Sequence, residues 1–289
     1  MSELRDLLDS GRLLVVPGAA NALTARVIED CGFGCVYVTG AGVANTHLGV
    51  PDLGLLAFPE LLAHVAAIRD AVDVPLIVDA DTGFGGALNI RRTVRELEQA
   101  GAGAIQLEDQ TFPKRCGHFA GKDVVPASDM VAKIRAAIEA RRDDNTLIVA
   151  RTDARAVSGL DEACARANRY RQAGADILFV ESPRSESEIE TIASQVEGPQ
   201  ILNLVSGGGT PILPEARIQE LGFAIALHAN LPLLASLRGM REALRALRDH
   251  GIPDDRLLAT WDERQRLVRR EQFEELEARY RAVREAVDL

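Results

Sequence analysis

Short apolar runs rich in β-branched residues alternate with longer amphipathic stretches through most of this sequence. The runs have the length and composition of buried strands, whereas the longer stretches repeat apolar residues at helical spacing. We predict strands at 13–17, 35–39, 75–79, 103–108, 146–151, 175–181, 199–204 and 223–228. The helical stretches include 59–71, 88–100, 128–142, 160–173 and 231–249. Eight strand–helix units in about 240 residues are typical of a (β/α)8 TIM barrel.

A doubly wound open sheet is the main alternative to a barrel. That fold is expected to carry a GxGxxG motif directly after its first strand, and the segment after residue 17 contains none. No linker interrupts the alternation of elements. We therefore predict a catalytic barrel over residues 1–250 and a C-terminal helical extension over residues 251–289.

Charge and composition narrow the classes of function. The formal net charge is -10 and the chain has no basic run, which argues against a nucleic-acid partner. No apolar stretch reaches about 18 residues and the N-terminus is already charged, so we expect a cytoplasmic protein without a membrane partner. Four scattered cysteines without a CxxC pair argue against a disulfide framework or a structural zinc site. Small-molecule chemistry is the remaining expectation.

Polar residues end nearly every predicted strand. They are Tyr37, Thr39, Asp79, Asp81, Glu108, Arg151, Asp153, Glu181, Asn203 and His228. Any one of them could simply cap the following helix, and His228 could be a core histidine. In a barrel, however, the carboxyl ends of the strands meet at one face, where active sites lie. Several carboxylates at one mouth repel each other, and this repulsion must be relieved by a cation.

The segment 78–85, Val-Asp-Ala-Asp-Thr-Gly-Phe-Gly, supplies the best candidate metal ligands. Oxygen ligands without a thiolate cluster favour Mg2+ or Mn2+, which use few direct carboxylates and keep several waters. Asp79 and Asp81 are the predicted direct ligands. Glu108 and Asp52 are predicted to hold metal-bound waters, although Asp52 could instead be an ordinary turn aspartate.

The segment Lys114-Arg115-Cys116-Gly117-His118 follows the strand that ends at Glu108. Neighbouring cations favour a thiolate, which makes Cys116 a candidate acid or base. Cys116 could also be a buried filler, or half of a zinc site with His118. The surrounding segment is polar and contains glycines, so a gating loop fits better.

Five motifs together resemble the isocitrate lyase/phosphoenolpyruvate mutase superfamily, and most of all methylisocitrate lyases, dimethylmalate lyases and carboxyphosphonoenolpyruvate mutases. The motifs lie at 48–54, 78–85, 107–110, 114–118 and 150–154. The resemblance covers roughly residues 10–250. It implies a (β/α)8 barrel that binds Mg2+ and a small anionic 2-oxo or 2-hydroxy acid.

The resemblance implies roles for Cys116, Arg151, the segment 39–41 and the metal residues, and the chemistry of the strand ends and loops supplies the other candidates. The residues expected in catalysis are Cys116 as general acid, Tyr37 as base, Arg151, Lys114 and His118. The residues expected to bind substrate are Thr39, Gly40, Ala41, Asp79, Arg151, Glu181, Asn203, Ser206 and Thr210. Asp79, Asp81, Glu108 and Asp52 would serve the metal, as the strand ends already suggest.

These residues predict a Mg2+-dependent carbon–carbon lyase. Its substrate would be a methylisocitrate- or dimethylmalate-like 2-hydroxy di- or tricarboxylate, cleaved to a 2-oxo acid and a second carboxylate. A phosphonomutase or an oxaloacetate- or phosphonopyruvate-type hydrolase is the alternative, and a noncatalytic metabolite-binding barrel is a third reading. The sequence departs from the lyase pattern at Ser206, where a glutamate is usual, and at Gly209, where a basic residue is common. Both departures argue against methylisocitrate itself.

The end of the chain carries a narrow apolar stripe. Phe273, Leu276, Tyr280, Val283 and Val287 recur at spacings of three and four in an Arg/Glu-rich helix. Such a stripe requires a partner surface, which is either the chain's own barrel or another subunit. The family resemblance favours a helix exchanged between the subunits of a homodimer or homotetramer.

Overall fold

The computed structural model describes residues 4–117, 119 and 121–287. Eight parallel strands form a closed barrel in chain order, which confirms the predicted fold. The strands are β1 (Leu14–Ala19), β2 (Val36–Val38), β3 (Leu76–Asp79), β4 (Ala104–Glu108), β5 (Leu147–Thr152), β6 (Ile177–Val180), β7 (Gln200–Asn203) and β8 (Ile225–His228). Every predicted strand is present, because the apolar runs that mark the strands are buried on both faces.

Helices alternate with the strands along the chain, and further helices follow the last strand. They are α1 (Leu4–Asp9), α2 (Ala22–Asp30), α3 (Gly40–Val43), α4 (Phe58–Ala71), α5 (Ala87–Gln99), α6 (Ala127–Ala140), α7 (Ala154–Ser158), α8 (Leu160–Gln172), α9 (Glu186–Gln195), α10 (Glu215–Glu220), α11 (Leu231–His250), α12 (Trp261–Leu267) and α13 (Arg270–Val287). A π-helical turn at Ala44–Leu48 and a 3-10 turn at Asp255–Leu257 complete the regular elements. The predicted helical stretches all fall on these helices.

The alternating direction of side chains along each strand produces two hydrophobic cores, one between the strands and the helices and one inside the barrel. Val36, Val38, Ile105 and Leu107 belong to the core between strands and helices, while the core inside the barrel includes Tyr37. Successive side chains of a strand point to opposite faces. A polar residue two positions beyond an inward-facing apolar residue therefore also faces the barrel axis, at the carboxyl end.

This rule explains how the candidate residues reach one place. Ile77, Val149, Phe179 and Ile201 belong to the inner core, and each is followed two positions later by a polar residue at the mouth. Those polar residues are Asp79, Arg151, Glu181 and Asn203. The strand register adds two neighbours, because Asp79 pairs with Gln106 and Glu108 pairs with Arg151.

The chain divides into two compact units, Met1–Leu233 and Leu234–Leu289. The first contains the barrel, and the second contains most of α11 together with α12 and α13. The predicted domain boundary at residue 250 and the exchange of a helix between subunits stay predictions. Among the described residues, no helix is both long enough and apolar enough to cross a membrane.

Candidate active site

A small pocket at the carboxyl ends of the strands gathers most of the predicted site residues. Its cavity volume is about 30 Å³. The predicted residues that line it are Tyr37, Thr39, Ala41, Asp52, Asp79, Glu108, Lys114, Cys116, Arg151, Glu181 and Asn203. Arg115, Gly117, Val205, Ala229 and Asn230 line it as well, although none of them was predicted as a site residue.

Asp79 and Tyr37 are joined through a side chain that the sequence analysis missed. Gln106 is fully buried; its Nε2 donates to Asp79 Oδ1 at 3.0 Å and its Oε1 accepts from the Tyr37 hydroxyl at 3.0 Å. The available signal was its position in β4, two residues before Glu108 on the same face. Because β4 is otherwise mostly apolar, Gln106 was not predicted as a polar residue that points into the barrel.

The Tyr37 hydroxyl keeps its proton in this arrangement. Burial, reinforced by the negative charge of Asp79, raises the pKa of Tyr37 well above its ordinary value. A buried phenol with so high a pKa is a poor base near neutral pH. In this structure the Tyr37 hydroxyl donates to Gln106, and the predicted role of Tyr37 as base stays a prediction.

Arg151 lies among three buried carboxylates. Its guanidinium binds Asp153 through two hydrogen bonds of 3.0 and 3.1 Å. It also forms ion pairs of 3.4 Å with Glu108 and 3.5 Å with Glu181. Burial disfavours the charge on Arg151, but these carboxylates more than offset it and raise the pKa further. Arg151 is thus a fixed cation at the mouth of the barrel.

Lys114 reaches from the loop into the carboxylates predicted to serve a metal. Its Nζ lies 2.5 Å from Asp52 Oδ1 and 2.6 Å from Asp81 Oδ1. Burial opposes the ammonium charge, yet Asp81 and Glu108 raise the pKa of Lys114 well above its ordinary value. Lys114 therefore supplies positive charge to this cluster.

One ammonium does not balance the cluster. Burial raises the pKa of Asp81 to about 7, against the opposing effect of Lys114. Burial also raises the pKa of Glu108 well above its ordinary value. In both cases burial outweighs the nearby positive charge of Lys114 and Arg151.

The residues present fit a hard divalent cation. Buried Glu108 Oε1 has no hydrogen-bond donor among the described residues, whereas Asp81 Oδ1 contacts the Lys114 ammonium at 2.6 Å. A Cβ added at Gly40 would lie 3.3 Å from Asp81 Oδ1 and 3.4 Å from Asp79 Oδ2, so both oxygens face the glycine. Within the described ranges, no three acidic, histidine or cysteine side chains converge to hold an ion directly. Few direct oxygen ligands completed by water are the usual arrangement for Mg2+.

The loop that carries Cys116 is closed over the pocket. Gln110 accepts from the Arg115 backbone amide at 2.9 Å and donates to the Arg115 carbonyl at 2.8 Å. The Cys116 amide donates to the Asp52 carbonyl at 3.2 Å. These bonds tie the loop to the segment that carries Asp52, and Cys116 consequently lines the cavity.

Further contacts hold the next part of the loop. The Gly117 carbonyl accepts from Lys122 Nζ, and also from Ser182 Oγ at 3.1 Å. Lys122 Nζ also lies 2.7 Å from Asp153 Oδ1. Since Asp153 binds Arg151 as well, Lys122 of the loop and Arg151 share one carboxylate. Lys122 was not among the predicted site residues, and Asp153 was predicted at the mouth of the barrel without a specific role.

We expect Gly117→Ala to hinder closure of this loop. A Cβ at Gly117 would lie 2.4 Å from Arg151 Nη2 and 2.8 Å from the Glu181 carboxyl carbon. Limited proteolysis should cut the loop of the variant faster than that of the wild type, while the thermal unfolding midpoint changes little. Gly209→Ala is the matched control, because a Cβ there meets nothing within 4 Å. Equal cleavage rates in both variants would contradict the expectation.

Asp109 supports the site from behind β4 and β5. This buried carboxylate accepts from Thr152 Oγ1 at 2.7 Å, the Asp153 amide at 2.9 Å and the Tyr170 hydroxyl at 2.8 Å. Arg166 adds an ion pair of 3.2 Å. The network fixes the backbone at the end of β5, from which Arg151 and Asp153 project.

The remaining predicted residues have different positions. Gly40 and Asp81 lie beside the pocket, as their contacts with Asp79 and Lys114 show. Ser206 is exposed, and Thr210 is buried with its hydroxyl unpartnered among the described residues. Neither lines the cavity. His118 lies outside the described residues. The roles predicted for all these residues stay predictions.

The fold and the residues at the mouth of the barrel are those of a known class of enzymes, which comparison with known proteins identifies. Residues 4–248 match the family model described as phosphoenolpyruvate phosphomutase. The chain therefore belongs to the phosphoenolpyruvate mutase/isocitrate lyase superfamily, an enzyme superfamily, as its motifs predict. Its curated relatives include lyases.

Two curated relatives have similar sequences. The 2,3-dimethylmalate lyase of Eubacterium barkeri is 43% identical over 283 residues, covering 96% of this chain and 97% of that protein. A 2-methylisocitrate lyase of Aeropyrum pernix is 44% identical over 252 residues, covering 87% of this chain and 81% of that protein.

Two solved structures show the breadth of the superfamily. Oxaloacetate acetylhydrolase in complex with the inhibitor 3,3-difluorooxalacetate has a TM-score of 0.91 and 32% identity, covering 96% of this chain and 95% of that one. Phosphonopyruvate hydrolase in complex with oxalate and Mg++ has a TM-score of 0.87 and 34% identity, covering 96% and 97%. Family membership alone leaves the reaction open.

Proposed function

We propose that this protein is a Mg2+-dependent carbon–carbon lyase that cleaves a 2-hydroxy dicarboxylate or tricarboxylate, with a dimethylmalate-like dicarboxylate preferred. The observation that carries this proposal is Cys116, a thiol that the closed loop places in the wall of a cavity with Asp79, Glu108 and Arg151. Cleavage next to a carboxylate leaves a carbanion, which an acid must protonate. The high identity to a 2,3-dimethylmalate lyase supports the same reaction class.

The metal belongs to the proposal. Asp79 and Asp81 would hold Mg2+, with Glu108 and Asp52 positioned to hold its waters. When bound, Mg2+ would polarise oxygen on the substrate. Mn2+ has similar ligand preferences. A relative's structure contains Mg++ with oxalate, a small dicarboxylate, which supports a metal and a carboxylate in one pocket.

The chain's own residues perform the other tasks. The Thr39–Ala41 segment, in which the Thr39 hydroxyl accepts from the Gly42 amide at 3.1 Å, would receive the carboxylate that remains in the 2-oxo acid. Arg151 would stabilise the charge that develops in the departing carboxylate. As the carbon–carbon bond breaks, the substrate hydroxyl would lose its proton to one of the carboxylates that line the cavity. The Cys116 thiol would then give its proton to the carbanion, and the loop would exclude water during that transfer.

One feature favours a dicarboxylate substrate. Ser206 is exposed and adds no charge at the place where family lyases usually have a glutamate. This lost charge supports a dicarboxylate over methylisocitrate.

A phosphonomutase or a hydrolase of oxaloacetate or phosphonopyruvate is the second candidate. The similarity to oxaloacetate acetylhydrolase and phosphonopyruvate hydrolase supports it. Such an enzyme acts on a 2-oxo acid, whereas a lyase acts on a 2-hydroxy acid. The two candidates therefore differ in the oxidation state of the carbon next to the bound carboxylate.

One substrate panel separates the candidates. We expect release of a 2-oxo acid from 2,3-dimethylmalate, measured by coupled NADH oxidation, with less or none from methylisocitrate, isocitrate, oxaloacetate and phosphonopyruvate. Phosphorus resonances would report the mutase and hydrolase reactions. Chelation should stop turnover and added Mg2+ should restore it, because the proposed reaction needs the metal to polarise the substrate oxygen. Turnover of oxaloacetate or phosphonopyruvate alone would replace the lyase with the second candidate.

We also propose that the protein is a homodimer or homotetramer. In the unit from Leu234 to Leu289, large apolar side chains are exposed. They include Met240, Leu244, Trp261, Phe273, Tyr280 and Val283. Exposed apolar surface on this scale usually marks an interface. A monomeric mass in light scattering of the full chain would refute this assembly.

A further inference from the structure

Gln106 lies between a predicted metal ligand and a residue of the pocket wall. It is fully buried in the middle of β4, and its two hydrogen bonds to Asp79 and Tyr37 are both 3.0 Å long. Its side chain does not line the cavity, whereas those of Asp79 and Tyr37 do. Any effect of Gln106 on a ligand must therefore pass through its two neighbours.

The two ends of the Gln106 amide are chemically different. Asp79 Oδ1 accepts both from Gln106 Nε2 and from the Asp81 backbone amide at 3.2 Å. A carboxylate oxygen between two donors requires an N–H from the glutamine, so the amide carbonyl must face Tyr37. The reverse orientation would place the carbonyl against the carboxylate. Asp79 therefore fixes the direction of the amide.

The direction of the amide fixes the direction of the Tyr37 hydroxyl. Tyrosine has one hydroxyl hydrogen, and Tyr37 gives it to Gln106 Oε1. Only lone pairs of the Tyr37 oxygen remain for the pocket. A ligand group at this point is therefore favoured if it donates a hydrogen bond and disfavoured if it only accepts one.

We propose that Gln106 is a positioning residue that fixes Tyr37 as a hydrogen-bond acceptor toward the pocket, and that it thereby selects 2-hydroxy acids over 2-oxo acids of the same shape. The hydroxyl of a 2-hydroxy acid can donate to Tyr37, whereas the oxygen of a 2-oxo acid cannot. This selection deepens the proposed lyase function, because a lyase of this kind must bind a hydroxy acid and release an oxo acid.

Binding of lactate and pyruvate in the presence of Mn2+ tests the proposal, because this pair differs only in the group that meets Tyr37. Calorimetry gives the ratio of their dissociation constants for the wild type and for Gln106→Leu. We expect the leucine variant to lose preference for lactate by about tenfold, since one hydrogen bond is worth about that factor. Tyr37, free to turn its hydroxyl toward the ligand, would then favour pyruvate.

Two further variants isolate the cause. A neutral histidine has one donor and one acceptor nitrogen, so Gln106→His is expected to retain most of the preference for lactate. In a Tyr37→Phe background, Gln106→Leu should no longer change the ratio, because no hydroxyl remains to be turned. A packing defect would instead weaken both ligands by the same factor. Equal weakening, or the same change of ratio with and without Tyr37, would overturn the proposal.

The measurement is independent of turnover. Mn2+ affinity, followed by electron paramagnetic resonance, should fall in Gln106→Leu even in the Tyr37→Phe background, because Asp79 loses its N–H donor in both. If the substrate panel shows no cleavage while the lactate preference responds as expected, the lyase proposal fails and the selection by Gln106 stands. If cleavage occurs while the ratio of the lactate and pyruvate dissociation constants does not change, the lyase proposal stands and the selection by Gln106 fails.

Discussion

Cys116→Ser is expected to lower the rate of carbon–carbon cleavage by a factor of about 100 to 10,000, the range that general acid catalysis contributes. A serine hydroxyl fills nearly the same space as the thiol but gives up its proton far less readily. The carbanion would then lack its proton donor. Binding of pyruvate, measured by calorimetry with Mg2+, should remain close to that of the wild type.

Cys31→Ser is the matched control, because Cys31 is an exposed free cysteine outside the pocket. It should leave turnover and binding unchanged. In deuterium oxide, wild-type enzyme should place one deuterium on the carbon released from the cleaved bond, which would confirm protonation as a step of the reaction. Full turnover by Cys116→Ser would show that the proton comes from elsewhere.

Arg151→Gln is expected to destabilise the folded protein by about 3–5 kcal/mol, because removal of one partner leaves buried charges without compensation. Glu108, Asp153 and Glu181 all have 2% or less of their surface exposed. Denaturant unfolding of the wild type and the variant measures the difference. Turnover should also be lost, since the guanidinium lines the pocket.

Arg217→Gln is a control that removes an arginine with a similar number of carboxylate partners from an exposed position. Arg217 also pairs with three carboxylates, those of Glu186, Glu190 and Glu220. Its side chain and theirs are 35–67% exposed, and water screens such surface pairs. Its loss should have a much smaller effect on unfolding than the loss of Arg151. Similar effects of the two variants would mean that burial of the Arg151 cluster adds no stability.

The destabilisation by Arg151→Gln should depend on pH in a defined direction. In the wild type, Arg151 and Lys122 offset burial and lower the pKa of Asp153 below its ordinary value. Asp153 thus contributes stability above the unfolded-state carboxyl pKa of about 4, and that contribution is lost as the pH falls through the lowered folded value. The gap between wild type and variant should be widest at neutral pH and narrow under acid conditions.

The amino-acid order determines the barrel and the position of its catalytic face. Eight apolar runs must be buried on both sides, and residues such as Asp79, Arg151 and Glu181 follow inward-facing positions at a spacing of two. This two-residue alternation is enough to predict the location of the site, because it directs one side chain from each strand to the same end of the barrel. The sequence also predicts the loop that carries Cys116, because its cations and its glycine are adjacent in the chain.

Tertiary structure alone decided how these groups pair. Lys114 binds Asp52 and Asp81, residues far from it in the chain, and no local pattern specifies which carboxylates one ammonium will reach. Gln106 was overlooked for the same reason, because its role depends on Asp79 and Tyr37 from two other strands. The sequence therefore determines which groups reach the mouth of the barrel. Closure of the barrel and of its loop decides which of them meet, because hydrogen bonds and ion pairs depend on distances that strand periodicity does not set.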